Sequence, residues 1–150
     1  NLIFISTSYG KGATVLAVDI ADGKKLKTLW SSDANLSCHY SSVVHHEGFL
    51  YGFHGRQERG CELRCVEMKT GKVQWGFPGL RAGSVMLAGT ELLVFTERGE
   101  LLRSPATPRF FRVTDRVQLM GATVRAYPAL ANGKLYVRNG RQLACFQIGE

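Results

Sequence analysis

The sequence predicts an all-β fold built from small antiparallel sheets, and three observations lead to this prediction. Apolar residues never keep the three- and four-residue spacing of a packed helix. Short alternating runs bounded by Gly, Asn and Asp recur along the 150 residues. A closing segment also recurs, because the Thr-Gly-Lys turn at 70–72 followed by Trp75 matches the Asp-Gly-Lys turn at 22–24 followed by Trp30. The chain therefore contains a repeated unit of short strands.

One copy of this unit, 38–79, holds four strand-like runs, and further copies flank it. The turns between runs contain Gly or Asn, which tolerate the positive φ of tight hairpins. Pro105 and Pro108 cannot donate to a sheet ladder, so the strand before them is expected to end there or lie at an edge. In chain order, the predicted strands are 2–8, 13–19, 26–30, 40–44, 49–53, 62–67, 73–75, 84–88, 91–95, 101–104, 111–119, 125–131, 134–138 and 142–146.

The spacing of the copies predicts a β-propeller of four-stranded antiparallel blades. Gly48, Gly89 and Gly133 stand before the second strand of successive copies, a period of about 40–45 residues that is typical of propeller blades. Each thin sheet must bury its faces against its neighbours, whereas a two-sheet sandwich would not require the closing Trp to recur. We expect one domain of between three and four blades, at 1–37, 38–79, 80–122 and 123–150.

Composition indicates a soluble globular segment rather than a membrane or nucleic-acid-binding one. Hydrophobic residues make up 45% of the chain, and no apolar run approaches the length of a membrane helix. The net charge of +7 is scattered, as where Arg98 lies between Glu97 and Glu100. Charges placed in this way do not follow a phosphate backbone. We therefore expect no nucleic-acid partner and no membrane insertion of this segment.

The four cysteines give little indication of a disulfide or a metal site. Cys61 and Cys65 are four residues apart on a predicted strand, about 13 Å at the rise of a strand, which is too far for a disulfide. Cys65 and Cys145 each follow a Leu by two positions in matching parts of two copies, so both are expected to be small buried side chains.

The repeat resembles that of the quinoprotein-type, or PQQ-like, β-propeller family. Residues 127–137 (Tyr-Pro-Ala-Leu-Ala-Asn-Gly-Lys-Leu-Tyr-Val) match the first half of that repeat, and residues 63–75, which end on Thr-Gly-Lys and Trp, match the second half. WD40 repeats would show Gly-His and Trp-Asp, and kelch repeats a Gly-Gly pair. Neither signature occurs in this chain.

The resemblance implies that the closing Trp of each blade docks between blades against a turn glycine. Trp30 and Trp75 are then the docking residues, and Gly23 and Gly71 are the turn glycines. Two departures stand out. Val43 occupies the place where the repeat usually has Pro, and the third copy lacks both the Thr-Gly-Lys turn and the Trp.

The resemblance also implies that more blades exist than this chain supplies. Closed propellers of this family resemble rings of about seven or eight blades. We therefore expect these residues to form the C-terminal part of a larger propeller. The remaining blades of that propeller are then one of its partners, and the strand missing from the last copy would come from the N-terminal end of the full chain.

Catalytic and metal-binding patterns are weak in this sequence. His39, His45, His46 and His54 fall in one copy, but neighbours on a strand such as His45 and His46 point to opposite faces. No Ser lies in a Gly-x-Ser-x-Gly turn, and Asp19, Asp22, Asp33 and Asp115 fall at predicted turns or surfaces. We expect no catalytic residue, metal ligand or cofactor-binding residue in this segment, and no cofactor.

Two functions remain open. We prefer a non-catalytic scaffold that presents loops to other proteins, with 55–60 and 104–109 as the exposed candidates. The alternative is a fragment of a PQQ-dependent dehydrogenase whose quinone and calcium site lies in the missing blades, although the adjacent cysteines typical of such enzymes are absent. Proteins with these repeats include the propeller lipoprotein of outer-membrane β-barrel assembly, so the resemblance implies a periplasmic or otherwise extracytoplasmic location.

Overall fold

The computed structural model of the chain describes residues 1–21 and 25–148. These residues form four antiparallel sheets and no helix, with the strand orders β1-β2-β3, β4-β5-β6-β7, β8-β9-β10-β11 and β12-β13-β14. The strands are β1 (Leu2–Thr7), β2 (Gly12–Asp19), β3 (Lys25–Ser32), β4 (Val44–His46), β5 (Phe49–Arg56), β6 (Gly60–Glu67), β7 (Val73–Pro78), β8 (Gly83–Ala88), β9 (Glu91–Thr96), β10 (Glu100–Pro105), β11 (Asp115–Gln118), β12 (Ala129–Ala131), β13 (Lys134–Arg138) and β14 (Leu143–Gln147).

The closing Trp residues identify equivalent strands in the first two sheets. Trp30 lies on β3 and Trp75 on β7, so β1 to β3 are the counterparts of β5 to β7. Each Trp is preceded by a β-bulge, since the register shifts beside the pairs Val15–Trp30 and Cys65–Trp75. A bulge adds one residue to a strand and redirects the side chains next to it. The repeated bulge therefore places both indoles in the same way. The alternation of apolar and polar residues in the sequence does not predict this bulge.

The buried core lies between sheets. One cluster joins Phe4 of the first sheet to Leu50 and Val66 of the second. The other two clusters join the second sheet to the third and the third to the fourth, and they hold the largest buried side chains, among them Tyr51, Phe53, Leu63, Phe95, Leu102 and Leu135. We call these three contact regions the seams. The second and third sheets bury both faces by stacking on their neighbours, whereas the first and fourth sheets bury the face that meets a neighbour.

The structure corrects several predicted strands. The run predicted at 40–44 has a bend at Tyr40 and no regular structure at 41–43, so only Val44 of this run belongs to a strand. The connection before it is held at 37 and 38 by side chains of other strands, since Ser37 N donates to His54 Nδ1 and Cys38 N donates to Ser6 Oγ. The strand predicted at 111–119 is reduced to Asp115–Gln118. The strand predicted at 125–131 is reduced to Ala129–Ala131.

The loop predicted at 55–60 is also shorter than expected. Strand β5 extends to Arg56 and β6 begins at Gly60, so only residues 57–59 form the turn. By contrast, the strand before Pro105 ends at that residue, as predicted. None of the described residues forms a helix of the length and apolarity needed to cross a bilayer.

All four cysteines are free thiols, and their burial differs from the prediction at one position. Cys65 is fully buried as predicted, whereas Cys145 is exposed, because no sheet among the described residues covers its face of β14. Burial raises the pKa of the Cys38 thiol to about 11 and that of Cys65 to about 12. Both thiols therefore stay protonated near neutral pH.

We expect one fast-reacting thiol in the native protein. In a reaction with Ellman's reagent at about pH 8, exposed Cys145 should react first. Burial raises the pKa values of Cys38, Cys61 and Cys65, so these thiols carry little thiolate, and Cys38 and Cys65 are also inaccessible to the reagent. Cys145→Ser should abolish the fast phase while leaving three thiols that titrate after unfolding. A fast phase that persists in this variant would contradict the burial pattern.

Candidate functional site

Trp30 packs across the first seam onto the turn that closes the second sheet. Its Nε1 donates a 2.8 Å hydrogen bond to the carbonyl of Met68. A Cβ placed on Gly71 would lie 2.7 Å from Cδ2 of the indole, so only glycine leaves room for the ring. Asn35 Nδ2 donates to the Gly71 carbonyl at 2.8 Å, which fixes the same turn from the side of the first sheet. A half-buried aromatic ring and two hydrogen bonds thus join the first two sheets.

Trp75 makes a parallel contact across the second seam with a different partner. Its Nε1 donates a 2.9 Å hydrogen bond to the carbonyl of Thr107, and its ring lies 5.9 Å from Tyr51 and 5.7 Å from Phe111, centroid to centroid. The third sheet has no Thr-Gly-Lys turn, so residues 106–114 take its place. The segment 104–109, expected to be exposed, therefore lies largely in the seam, and Ser104 is fully buried.

These contacts bring some of the predicted docking residues together. Trp30 meets Gly71 of the next sheet, and Trp75 meets Thr107 rather than a glycine. Gly23 lies outside the described residues. Their role as blade-docking residues stays a prediction, which the substitutions below test.

The four histidines lie in different places, and none shares a hydrogen-bond partner with another. His39 lies between Tyr9, at 2.8 Å from its hydroxyl, and the Gln57 amide. His54 Nδ1 accepts from Ser37 N, and burial together with the nearby Arg64 guanidinium lowers the pKa of His54, so the ring is neutral when it accepts. Within the described residues, no group of three or more His, Cys, Asp or Glu side chains is placed to hold a metal ion.

His45 and His46 lie on β4, where the first is exposed and the second half-buried, as expected for neighbours on a strand. His45 Nε2 accepts from the backbone of Gly48, which supports the tight turn after the strand.

The aspartates also serve local structure. Asp115 pairs with Arg103 at 2.6 Å across β10 and β11, and Asp19 accepts a hydrogen bond from Ala21 N in the turn after β2. Asp33 is exposed in the connection to the second sheet. Asp22 lies outside the described residues.

A groove of about 440 Å³ opens between the turn at 8–11 and the turn at 57–59. Its lining includes Tyr9, His54, Arg56 and Arg59. The Arg56 guanidinium lies 4.4 Å from the centroid of the Tyr9 ring, a cation–π contact that joins the first two sheets at this end. Sequence reasoning missed this groove, since Tyr9 lies in a turn of one repeat and Arg56 at the end of a strand in the next.

Comparison with known proteins supports the fold and leaves the family open. No protein-family model and no curated protein matches the chain. A similar solved structure is the crystal structure of BamB from Moraxella catarrhalis, with a TM-score of 0.61 and 15% sequence identity. The match covers 89% of this chain but only 38% of the BamB chain. The predicted fold class, a partial β-propeller of antiparallel blades, is thus confirmed, whereas the PQQ-like repeat stays a prediction.

Substitution of Gly71 tests the Trp30 contact against a matched control. Gly71 and Gly48 both have positive φ, +74° and +85°, but a Cβ on Gly48 would meet nothing within 4 Å. We expect Gly48→Ala to lower the free energy of unfolding by about 1–2 kcal/mol from backbone strain alone. Gly71→Ala should cost about 1–3 kcal/mol more, because the methyl group displaces the Trp30 indole. Urea unfolding of both variants measures the difference, and equal losses would contradict the docking role of Gly71.

Substitution of Trp75 separates its packing from its hydrogen bond. Trp75→Ala should cost about 3–5 kcal/mol, because it leaves a cavity between Tyr51 and Phe111. Trp75→Phe should cost about 1–3 kcal/mol, because the Thr107 carbonyl loses its donor. Phe110, exposed in the same segment, is the control, and Phe110→Ala should cost less than about 1 kcal/mol. Comparable losses for the Trp75→Ala and Phe110→Ala variants would show that the seam does not depend on the indole.

Proposed function

We propose that this chain is a non-catalytic module of a PQQ-like β-propeller that acts as a protein-interaction scaffold. The observation that carries the proposal is how the reactive side chains are used. Among the described residues, the histidines and aspartates lie at separate places, where His39, His45, His54, Asp19 and Asp115 bond within turns, connections and strand pairs rather than meeting at one point. Acid–base and metal catalysis both require such groups to converge on a substrate.

The faces and the ends of the blades differ in how accessible they are to a partner. Sheet faces are used for stacking, as the three buried clusters between sheets illustrate. The turns at the strand ends remain exposed and carry charged residues such as Glu58, Arg59, Lys69 and Arg98. Recognition by loops on a rigid sheet framework is a common arrangement. We further propose that the remaining blades of the same propeller are a second partner and that the protein is extracytoplasmic, both from the family resemblance.

Site-specific photo-crosslinking of the full chain tests the scaffold function. A benzophenone amino acid is introduced at Glu58, Arg98 or Lys69, which lie in exposed turns, and at buried Val85 as a control. We expect a discrete adduct with a second protein from at least one turn position and none from Val85. Diffuse adducts from all three turns would contradict the proposal.

The enzymatic alternative is tested on the same protein. A PQQ-dependent dehydrogenase would reduce a dye with an alcohol as the electron donor once PQQ and calcium are added. We expect no such turnover. Quinone-dependent dye reduction that is absent without PQQ would overturn the non-catalytic assignment.

A further inference from the structure

One charged feature recurs in every sheet. Each turn between the second and third strand of a blade holds one cation: Lys11 in 8–11, Arg59 in 57–59, Arg98 in 97–99 and Arg141 in 139–142. Two acids, Glu58 and Glu97, share these turns. Because neighbouring strands are antiparallel, these turns all lie at the end of the blade opposite the closing turn at 68–72. We call this end the hairpin face, and its excess of cations favours an acidic partner.

The groove between the first two of these turns is the concave part of the hairpin face. Arg56 forms its wall, with Nη2 3.2 Å from Glu58 Oε1 and the guanidinium plane held over Tyr9. Its Nε is buried and has no hydrogen-bond partner among the described residues. Arg59 stands exposed at the rim, and no ion pair neutralises it within the described part of the chain. A free guanidinium beside a rigid one suits a carboxylate, which accepts two parallel hydrogen bonds.

Tyr9 adds an apolar contact to this charged site. Its side chain is 65% exposed although its ring is held by His39 and Arg56. Its backbone has φ of +63°, a left-handed conformation that costs free energy in a residue with a bulky side chain. An exposed aromatic held rigidly beside two arginines offers a flat surface for an apolar side chain. Such aromatic and Arg pairs are typical of the energetically dominant positions in protein interfaces.

We propose that this groove binds an acidic, extended protein segment, with a carboxylate paired to Arg59 and an apolar side chain packed on Tyr9. The inference rests on the proposed scaffold function and names the partner's chemistry. A nucleic acid fits less well, because the cations occur singly on separate turns and do not follow a continuous phosphate backbone.

A binding measurement on the full chain tests this assignment. The probe is a short fluorescein-labelled peptide of alternating Glu and Gly with one central Phe, followed by fluorescence anisotropy. Arg59→Glu should weaken binding by about fivefold to tenfold, because it reverses the charge that meets the carboxylates. Lys69→Glu changes the net charge equally at the opposite end of the same sheet and should weaken binding by less than about twofold.

A second variant tests the aromatic contact without endangering the fold. Tyr9→Gly removes the ring and relaxes the positive φ, so the turn is retained. This substitution should lower the affinity for the Phe-containing peptide by about threefold or more, and it should leave the affinity for a peptide without Phe unchanged. If both peptides lose affinity equally, Tyr9 makes no apolar contact and the assignment is wrong.

Four other results would overturn the inference. One is equal weakening by Arg59→Glu and Lys69→Glu, which would indicate binding by net charge alone. Another is absence of binding by the peptide, and the third is a labelled DNA duplex that binds more tightly than the peptide and displaces it. A crosslinked partner captured only from Lys69 would also reject the groove, but it would leave the scaffold function in place.

Discussion

The packing of each sheet on the next is the constraint on which the rest of this structure depends. A sheet of three or four short strands is too thin to bury its own faces, and each buried cluster combines residues from two sheets. The indoles of Trp30 and Trp75 strengthen this arrangement by crossing the seam and donating to a backbone carbonyl of the neighbouring sheet. A β-bulge precedes each Trp, so the same one-residue irregularity in the strand accompanies both contacts between sheets.

Much of the fold was predictable from local chemistry, and the errors have physical reasons. Glycines at hairpin positions and short alternating runs predicted most strands, because both depend on a few neighbouring residues. The start of β4 at Val44 was not predictable, since the preceding backbone is held by side chains from other strands. Phe111 has the alternation of a strand residue, but its ring packs on Trp75 and the chain there leaves the sheet. In both cases contacts distant in sequence override a local pattern.

The candidate sites also include features that the sequence predicts and features that it does not. The meeting of Trp30 with Gly71 was implied by the family resemblance, because both residues belong to a recurring motif. The contact of Trp75 with Thr107 was not, because the third repeat lacks that motif and a different backbone segment supplies the acceptor. The groove beside Tyr9 was also unpredictable. It exists only because blade stacking brings two turns together, and neither turn carries a recognisable binding pattern by itself.

One pair of equivalent positions shows how strongly a neighbouring sheet decides what a residue does. Tyr51 pairs with Cys65 across β5 and β6, and Tyr136 pairs with Cys145 across β13 and β14 in the corresponding place. The first tyrosine is fully buried under the second seam, whereas the second is 39% exposed. The same two residue types in the same register thus differ in access only through what covers them. Because stacking covers the faces between neighbouring sheets, the charged side chains left exposed there lie mainly in the turns at the strand ends, as Arg59 and Arg98 do.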